Sequence, residues 1–340
     1  MDKEEVVKVL TLTNSEIDTI ETLLYQIENL YENESDPRFL EQVQELATKL
    51  PVRVLEAFIP FKQRIGQEIC VISGFPVDQE KIGFTPVDLE SSPNVSTKKE
   101  CFLFCLLSAA IGEVFGWATQ QDGRLVHDIF PIKGHEQEQI SSGSDEVITL
   151  HIEDAFHEHR ADFIGLMCIR NPNEINTTFS KPKLDALSAE HRELLFHQEY
   201  IIRPDNSHLE KYNNGLFDAD EVQTAREKFN EEMSKGIKFA PFFGDKSKPF
   251  LQLDRYFMDE VQGEYADALN SLCDNLEVNT FGLALKAGDI AFVDNYRILH
   301  GRCNFKAQYD GYDRWLKRVN IKKELASIKK GNVFVKQRVI

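Results

Sequence analysis

The feature that most restricts the fold of this chain is a pair of potential metal ligands, His151 and Glu153, at the end of an apolar segment. Residues 147–150 are Val-Ile-Thr-Leu, a largely β-branched run that predicts a strand. Because strand side chains alternate between two faces, His151 and Glu153 point to the same side. One imidazole and one carboxylate are thereby brought within reach of a single ion.

A third potential ligand, His300, comes late in the chain, after a second apolar strand predicted over residues 290–294. Two histidines and one carboxylate leave three positions open on an octahedral metal, which is the ligand set of non-haem Fe(II) oxygenases. The same ligands with a bound water would also suit a zinc-dependent hydrolase. A jelly-roll that binds a ligand without catalysis is a third alternative.

Apolar patterning predicts a mainly β chain with flanking helices. Strands are predicted over residues 69–72, 125–130, 147–153, 163–170, 199–202, 249–254, 280–285, 290–294 and 314–321. Helical spacing predicts helices within the first 66 residues and over 96–116, 219–235 and 261–276. Helices followed by strands around one metal motif indicate a single barrel or sandwich domain.

Two arginines share one face of the last predicted strand. Alternation there separates two sets, Arg314, Leu316, Arg318 and Asn320 on one face, and Trp315, Lys317, Val319 and Ile321 on the other. If the face with Trp315 packs under helices, both guanidinium groups point into the barrel, where each requires an anionic partner. Alternatively, both arginines lie on the surface and pair with some of the 56 acidic residues.

Composition limits the partners. The net charge of −17 should repel nucleic acid and anionic membranes. The chain has no apolar run of about 18 residues that could span a membrane, and its charged start does not predict a secretory signal. Six scattered cysteines are expected to be reduced. We therefore expect a cytoplasmic protein that acts on a small molecule, and the sequence leaves its oligomeric state open.

Four segments carry a family resemblance: residues 117–124 (WATQQDGR), 151–157 (HIEDAFH), 294–302 (DNYRILHGR) and 313–318 (DRWLKR). Together they resemble the clavaminate synthase-like branch of Fe(II)/2-oxoglutarate dioxygenases. Within that branch, the chain is most similar to the hydroxylases of free L-lysine and L-arginine. The resemblance extends from about residue 67 to the end of the chain.

The resemblance implies a fold and a reaction. The fold is a single domain over residues 1–340 with a double-stranded β-helix (jelly-roll, cupin-like) core. Residues 1–66 would form an N-terminal helical buttress, residues 67–340 the jelly-roll core, and residues 204–240 a helical lid. The reaction would use Fe(II), 2-oxoglutarate as cosubstrate and O2, and it would yield succinate, CO2 and a hydroxylated basic amino acid.

The resemblance also implies roles for individual residues. His151, Glu153 and His300 would hold the iron. Arg314 would bind the far carboxylate of 2-oxoglutarate with help from Thr178 or its neighbour. The substrate α-carboxylate would be held by Arg318, and the α-amino end by Gln120 and Ser141.

The identity of the substrate depends on the other end of the pocket. Gln252 and Asp254 share a face of the strand predicted over residues 249–254. In the arginine hydroxylases of this branch, two aspartates with this spacing hold the guanidinium, whereas here the first is a glutamine. A single carboxylate suits an ammonium better than a planar group with five donors. We therefore expect L-lysine, with carbon 4 favoured over carbon 3, and L-arginine as the alternative.

Overall fold

The computed structural model describes residues 3–92, 97–209, 227, 230, 231, 233–329 and 338–340. Its strands are β1 (Val7–Thr11), β2 (Ile69–Ser73), β3 (Glu113–Phe115), β4 (His127–Ile129), β5 (Ile148–His151), β6 (Phe163–Arg170), β7 (Thr177–Ser180), β8 (Tyr200–Ile202), β9 (Ile237–Phe239), β10 (Phe242–Phe243), β11 (Phe250–Leu251), β12 (Phe281–Leu283), β13 (Ile290–Asp294), β14 (Leu299–Arg302) and β15 (Trp315–Lys322). Its helices are α1 (Lys3–Val6), α2 (Asn14–Leu30), α3 (Pro37–Ala47), α4 (Val52–Lys62), α5 (Gln79–Ile82), α6 (Lys98–Ala109), α7 (Ala189–Leu194), α8 (Glu264–Val278) and α9 (Ala326–Lys329).

Two sheets form the centre of the molecule. The larger has the order β1-β2-β13-β6-β15-β3, with β4 also paired to β15, and the smaller has the order β12-β7-β14-β5. Apolar side chains of both sheets share one buried cluster, among them Leu166, Val293 and Leu316 from the larger sheet and Phe179 from the smaller. The sheets therefore face each other across a common core, as in a double-stranded β-helix.

A second core separates the larger sheet from the helices. Phe58 of α4 contacts Phe292 of β13 edge-on, with ring centroids 5.2 Å apart. Trp315 and Val319 of β15 are buried in the same cluster as α2, α3, α4 and α6. The face of β15 that carries Trp315 thus packs under helices, as the alternation predicts. None of the described helices has the length and apolar character of a membrane span.

The N-terminal segment contains a strand that the sequence analysis missed. We expected residues 1–66 to contribute only helices, yet Val7–Thr11 pairs in parallel with β2 at the edge of the larger sheet. Val7 and Leu10 are buried there, while Lys8 and Val9 are exposed. The prediction was wrong because five residues with this mixed burial show neither clear alternation nor helical spacing. The helix after it is confirmed, with a capping box of Thr13 and Glu16.

The predicted helix over residues 219–235 and much of the predicted lid over 204–240 lie outside the described residues. The described flanks of that segment, β8 and β9, pair as an antiparallel ribbon. Arg203, directly after β8, forms a two-pronged ion pair with Asp259, with N···O distances of 2.7 Å. It also donates to the carbonyls of Met233 and Ser234. The ribbon and Arg203 therefore bring the two ends of the segment together.

Candidate active site

Strand pairing brings the three predicted metal ligands together. His151 ends β5 and lies directly opposite His300 in the antiparallel pair of β5 and β14. Glu153 Oε2 lies 3.3 Å from His300 Nε2 and 3.8 Å from His151 Nε2. Adjacent ligands around an octahedral ion, each bonded at about 2.1 Å, would be about 3.0 Å apart. The two nitrogens and one oxygen are therefore spaced to hold one metal ion.

The charges around these ligands favour a cation. Burial lowers the pKa of His300 to about 4, which keeps the imidazole neutral and able to bind a metal. Burial alone would also lower the pKa of His151, but the nearby carboxylates of Glu153 and Asp254 raise it to about 9. A position that attracts a proton so strongly also attracts a metal ion. The donor set and its electrostatics fit Fe(II).

A buried asparagine fixes the backbone of the metal-binding segment. Asn295 Oδ1 accepts from the amide of Glu153 at 2.8 Å, and Asn295 Nδ2 donates to the carbonyls of Glu153 and Ala161 at 3.0 Å each. Asn295 has no solvent exposure. Its three hydrogen bonds hold the chain after β5 against the turn between β13 and β14, so that Glu153 is fixed relative to His300.

We expect Asn295→Ala to lower the free energy of unfolding by about 2–5 kcal/mol, because it leaves one buried amide and two buried carbonyls without partners. Chemical denaturation followed by circular dichroism measures this. Asn270→Ala, on the exposed side of α8, is the matched control and should change stability little. Equal stabilities of the two variants would contradict the structural role of Asn295.

The cavity beside the metal ligands has a cationic end. Arg314 and Arg302 both line the cavity. Burial lowers the pKa of Arg302 to about 9, and the positive charge of Arg314 lowers it as well. Arg314 Nη2 donates to Thr177 Oγ1 at 3.2 Å, and its Nε is buried without a hydrogen-bond partner. Among the described residues, no carboxylate forms an ion pair with either arginine. This end of the cavity is therefore built to accept an anionic group.

The threonine at this cationic end of the cavity is Thr177 rather than Thr178. Thr177 is buried, lines the cavity and contacts Arg314, whereas Thr178 is only half-buried and does not line the cavity. The two lie side by side on β7, so their side chains point to opposite faces. The sequence analysis left this role to Thr178 or its neighbour, and the geometry favours the neighbour, Thr177.

Arg302 also organises the wall of the cavity. It donates to the carbonyls of Gly143, Glu146 and Cys303 at 2.5, 2.8 and 3.1 Å. The loop that it holds carries Ser141, a predicted substrate ligand, which lines the cavity. Arg302 thereby joins the strand of His300 to this loop.

Arg318 is placed between the metal site and the predicted α-amino acid subsite. It is buried and forms an ion pair with Glu153, donates to Gln120 Oε1 at 2.7 Å, and donates to His127 Nδ1 at 3.0 Å. Gln120 Nε2 in turn donates to Ser207 Oγ at 2.6 Å. Arg318 and Gln120, predicted to bind the two ends of the amino-acid head group, thus lie side by side.

Of the two residues predicted to select the substrate, only Asp254 reaches the cavity. Asp254 is buried and lines it, whereas Gln252 donates its side chain to the carbonyl of Ala155 at 2.7 Å and does not line it. The predicted strand stops early, since β11 is only Phe250–Leu251, and Asp254 caps a short 3₁₀ turn instead. Strand alternation therefore does not extend from residue 252 to 254.

A different acidic residue, Asp205, lines the cavity together with Asp254. Burial raises the pKa of Asp254 to about 6; the charge of His151 lowers it, and that of Asp205 raises it further. Asp205 follows β8 and starts the 3₁₀ turn Asn206–His208, whose Ser207 also lines the cavity. The sequence analysis missed both, because only the fold brings the end of β8 to the metal site.

Two facing β-sheets that carry a His-x-Glu…His triad and a cationic subsite between them define a cupin-like non-haem iron oxygenase. A sequence profile described as "Taurine catabolism dioxygenase TauD, TfdA family" matches residues 104–320, more than half of the chain. The chain belongs to this family. Its predicted fold and class are confirmed, and so are Fe(II), 2-oxoglutarate and O2 as its metal, cosubstrate and oxidant. The zinc-hydrolase alternative is set aside.

Relatives with known names match nearly the whole chain. The enduracididine beta-hydroxylase of Streptomyces hygroscopicus is 35% identical over 97% of this chain and 99% of its own. The L-ornithine/L-arginine 3-hydroxylase of Catenulispora acidiphila is 37% identical over 93% of this chain and 94% of its own. An L-lysine 4-hydroxylase of Flavobacterium johnsoniae is 26% identical over 68% of this chain and 59% of its own.

Solved structures of a non-heme iron oxygenase also match nearly the whole chain. The crystal structure of the non-heme iron oxygenase OrfP with Fe, succinate and (3S)-hydroxy-L-Arg has a TM-score of 0.92 and 35% identity, and it covers 98% of this chain and 99% of OrfP. OrfP has also been solved with Fe and alpha-ketoglutaric acid, with a TM-score of 0.85. This chain is accordingly an Fe(II)/2-oxoglutarate-dependent hydroxylase of free basic amino acids.

Proposed function

We propose that the substrate is a free L-amino acid with a guanidinium group, L-arginine in the simplest case, and that carbon 3 is hydroxylated. The observation that carries this proposal is the pair of carboxylates, Asp205 and Asp254, in the same cavity as the metal ligands. The sequence analysis favoured L-lysine because it counted one carboxylate at this end. With two, its reason for preferring an ammonium no longer holds.

Two carboxylates match a guanidinium by both charge and geometry. A guanidinium presents five N–H donors in one plane and can be shared by two carboxylates, whereas an ammonium is a compact charge that one carboxylate satisfies. Buried Asp254 and half-buried Asp205 also favour a cation between them, since burial and then the negative charge of Asp205 raise the pKa of Asp254.

The relatives support the same substrate and the same carbon. The two relatives described above with more than 30% identity are named for β-hydroxylation of enduracididine and for 3-hydroxylation of L-ornithine or L-arginine. The L-lysine 4-hydroxylase matches less of the chain at lower identity. We therefore replace the expectation of L-lysine and carbon 4 with L-arginine and carbon 3.

In this proposal, bound Fe(II) with 2-oxoglutarate and O2 supplies the oxidising chemistry, and the chain positions the reactants. Arg314 and Thr177 hold the far carboxylate of 2-oxoglutarate. Arg318 binds the α-carboxylate of the amino acid. Asp205 and Asp254 bind its guanidinium. Because the substrate is fixed at both ends, the spacing of the two anchors selects the carbon that faces the metal.

A substrate panel tests the proposal. Purified enzyme with Fe(II), 2-oxoglutarate and O2 is given L-arginine, L-enduracididine, L-ornithine or L-lysine, and products are read by mass spectrometry and NMR. We expect one added oxygen at carbon 3 of a guanidinium substrate, with L-lysine at least about tenfold slower, since each unmatched buried group costs about 1–3 kcal/mol. Faster oxidation of L-lysine would contradict the guanidinium assignment.

We expect Asp254→Asn to raise the KM for L-arginine by roughly thirtyfold or more, because it removes one charge-assisted partner and keeps the side-chain shape. The KM for 2-oxoglutarate should change little, since Arg314 and Thr177 are intact. Initial rates of succinate formation measure both constants. Asp274→Asn, on the exposed side of α8, is the matched control. An unchanged KM for L-arginine would remove Asp254 from the guanidinium subsite.

A further inference from the structure

One buried histidine has no role in the reaction described so far. His208 ends the 3₁₀ turn that carries Ser207, and its side chain is only 2% exposed. Its Nδ1 lies 2.7 Å from Thr119 Oγ1, and its Nε2 lies 3.1 Å from Asp154 Oδ1. Both ring nitrogens are therefore engaged, one on each side of the ring. An imidazole held in this way joins the turn firmly to its two partners.

One of those partners directly follows a metal ligand. Asp154 comes after Glu153, and its backbone has a φ of 51°, which is unusual for a residue other than glycine. Its side chain has no solvent exposure and also accepts a hydrogen bond from Trp117 Nε1 at 2.7 Å. Trp117 and His208 thus hold the strained residue in place from two directions.

The other side of the turn reaches the substrate cavity. Asp205 and Ser207 line the cavity, and Asp205 Oδ1 accepts from the backbone amide of Ser207 at 2.8 Å. Ser207 Oγ accepts from Gln120, which is bonded to Arg318. The four residues Asp205 to His208 therefore lie between the substrate-facing side chains and the segment of the metal ligands. His208 forms the contact with that segment.

We propose that His208 is a positioning residue for the substrate. By bridging Thr119 and Asp154, it fixes the turn so that Asp205 and Ser207 face the amino acid at a set distance from the metal ligands. This inference rests on the proposed function, in which Asp205 binds the far end of the substrate. His208 itself does not line the cavity and need not touch the substrate.

A matched pair of substitutions at Thr119 tests the role without removing the histidine. Thr119→Ser keeps the hydroxyl that bonds His208, whereas Thr119→Val keeps the shape and removes it. We expect Thr119→Val and His208→Ala to raise the KM for the amino acid by roughly tenfold or more, while Thr119→Ser stays near wild type. His197→Ala, at an exposed histidine bonded to Tyr265, serves as the control for histidine removal.

Two further measurements separate positioning from general loss of structure. The KM for 2-oxoglutarate should be unchanged, and the ratio of hydroxylated product to succinate should fall, because a misplaced substrate is oxidised less often per cosubstrate consumed. Equal increases in both KM values with an unchanged product ratio would overturn the proposal, as would identical behaviour of Thr119→Ser and Thr119→Val.

The proposed function and this inference can fail separately. If wild-type enzyme oxidised L-lysine rather than L-arginine, the guanidinium assignment would be wrong, and the KM effect of Thr119→Val would then be measured with L-lysine. An effect there would keep the positioning role of His208. Oxidation of L-arginine with no effect of Thr119→Val or His208→Ala would keep the proposed function and remove the positioning role.

Discussion

A His300→Ala enzyme will keep its fold and lose both its iron and its turnover. Within the described residues, His300 is one of three side chains at this site that are grouped to hold a metal ion, and its neutral imidazole lies 3.3 Å from Glu153 Oε2. Its Nδ1 has no hydrogen-bond partner, so alanine breaks no other hydrogen bond within the described residues. We expect succinate formation to fall to background. The loss of iron is measured as metal content after anaerobic Fe(II) loading. The retained fold is measured by thermal unfolding.

The choice of His300 avoids a complication at the other ligands. Glu153 balances the charge of buried Arg318, so its loss would leave a guanidinium unpaired and confuse a metal effect with a folding effect. His197→Ala provides the control on the surface. Normal turnover by His300→Ala, or a melting temperature far below that of the wild type, would contradict the assignment of His300 as a ligand in a preformed site.

The second large effect concerns the cosubstrate. Arg314→Ala should raise the KM for 2-oxoglutarate by roughly thirtyfold or more, because losing one bidentate charged contact to a buried anion costs about 2–5 kcal/mol. The KM for the amino acid should change little. Arg314→Lys keeps the charge but not the paired donors, so we expect an intermediate value. Anaerobic titration of the Fe(II) enzyme with 2-oxoglutarate, followed by visible absorbance, measures the affinity directly.

Arg318→Ala is the reciprocal variant. Arg318 lies within β15, four residues after Arg314, and contacts Glu153 and Gln120 rather than Thr177. The defect of its alanine variant should therefore fall on the amino acid. Its ion pair with Glu153 makes some loss of iron expected as well, and iron content must therefore be measured beside the KM. Matching defects for both reactants in both variants would contradict the separate roles of the two arginines.

Local pattern predicted three side chains that the structure groups as potential metal ligands and two arginines that line the cavity. His151 ends β5 and Glu153 follows in a turn, while Arg314 directly precedes β15 and Arg318 lies within it. Strand alternation predicted both pairs although one member of each lies just outside its strand. The pairing of His151 with His300 needed only one long-range contact, between β5 and β14. These residues could be predicted because each lies in a strand or within two residues of one.

The remaining site residues depend on irregular backbone. To choose between Thr177 and Thr178, one must know which side chains of β7 face the cavity, and this is set by the pairing of β7 with β14 and β12. Gln252 was assigned wrongly because the chain leaves strand geometry before Asp254. Asp205 lies far in sequence from the metal ligands and from Asp254. Only the fold brings the end of β8 to the metal site. Turns and long-range contacts, unlike strands, leave no periodic signal in the sequence.

The placement of Arg314 directly before β15 and of Arg318 within it has a consequence for how new activities arise in enzymes with this fold. At about 3.3 Å per residue, four residues set these two anchors roughly 13 Å apart, and a one-residue insertion between them would turn one arginine away from the cavity. Asp205 and Asp254 lie instead in short turns, where exchange or insertion leaves strand pairing intact. Changes of substrate specificity are therefore expected through substitutions or insertions in the turns and not through insertions in the strand.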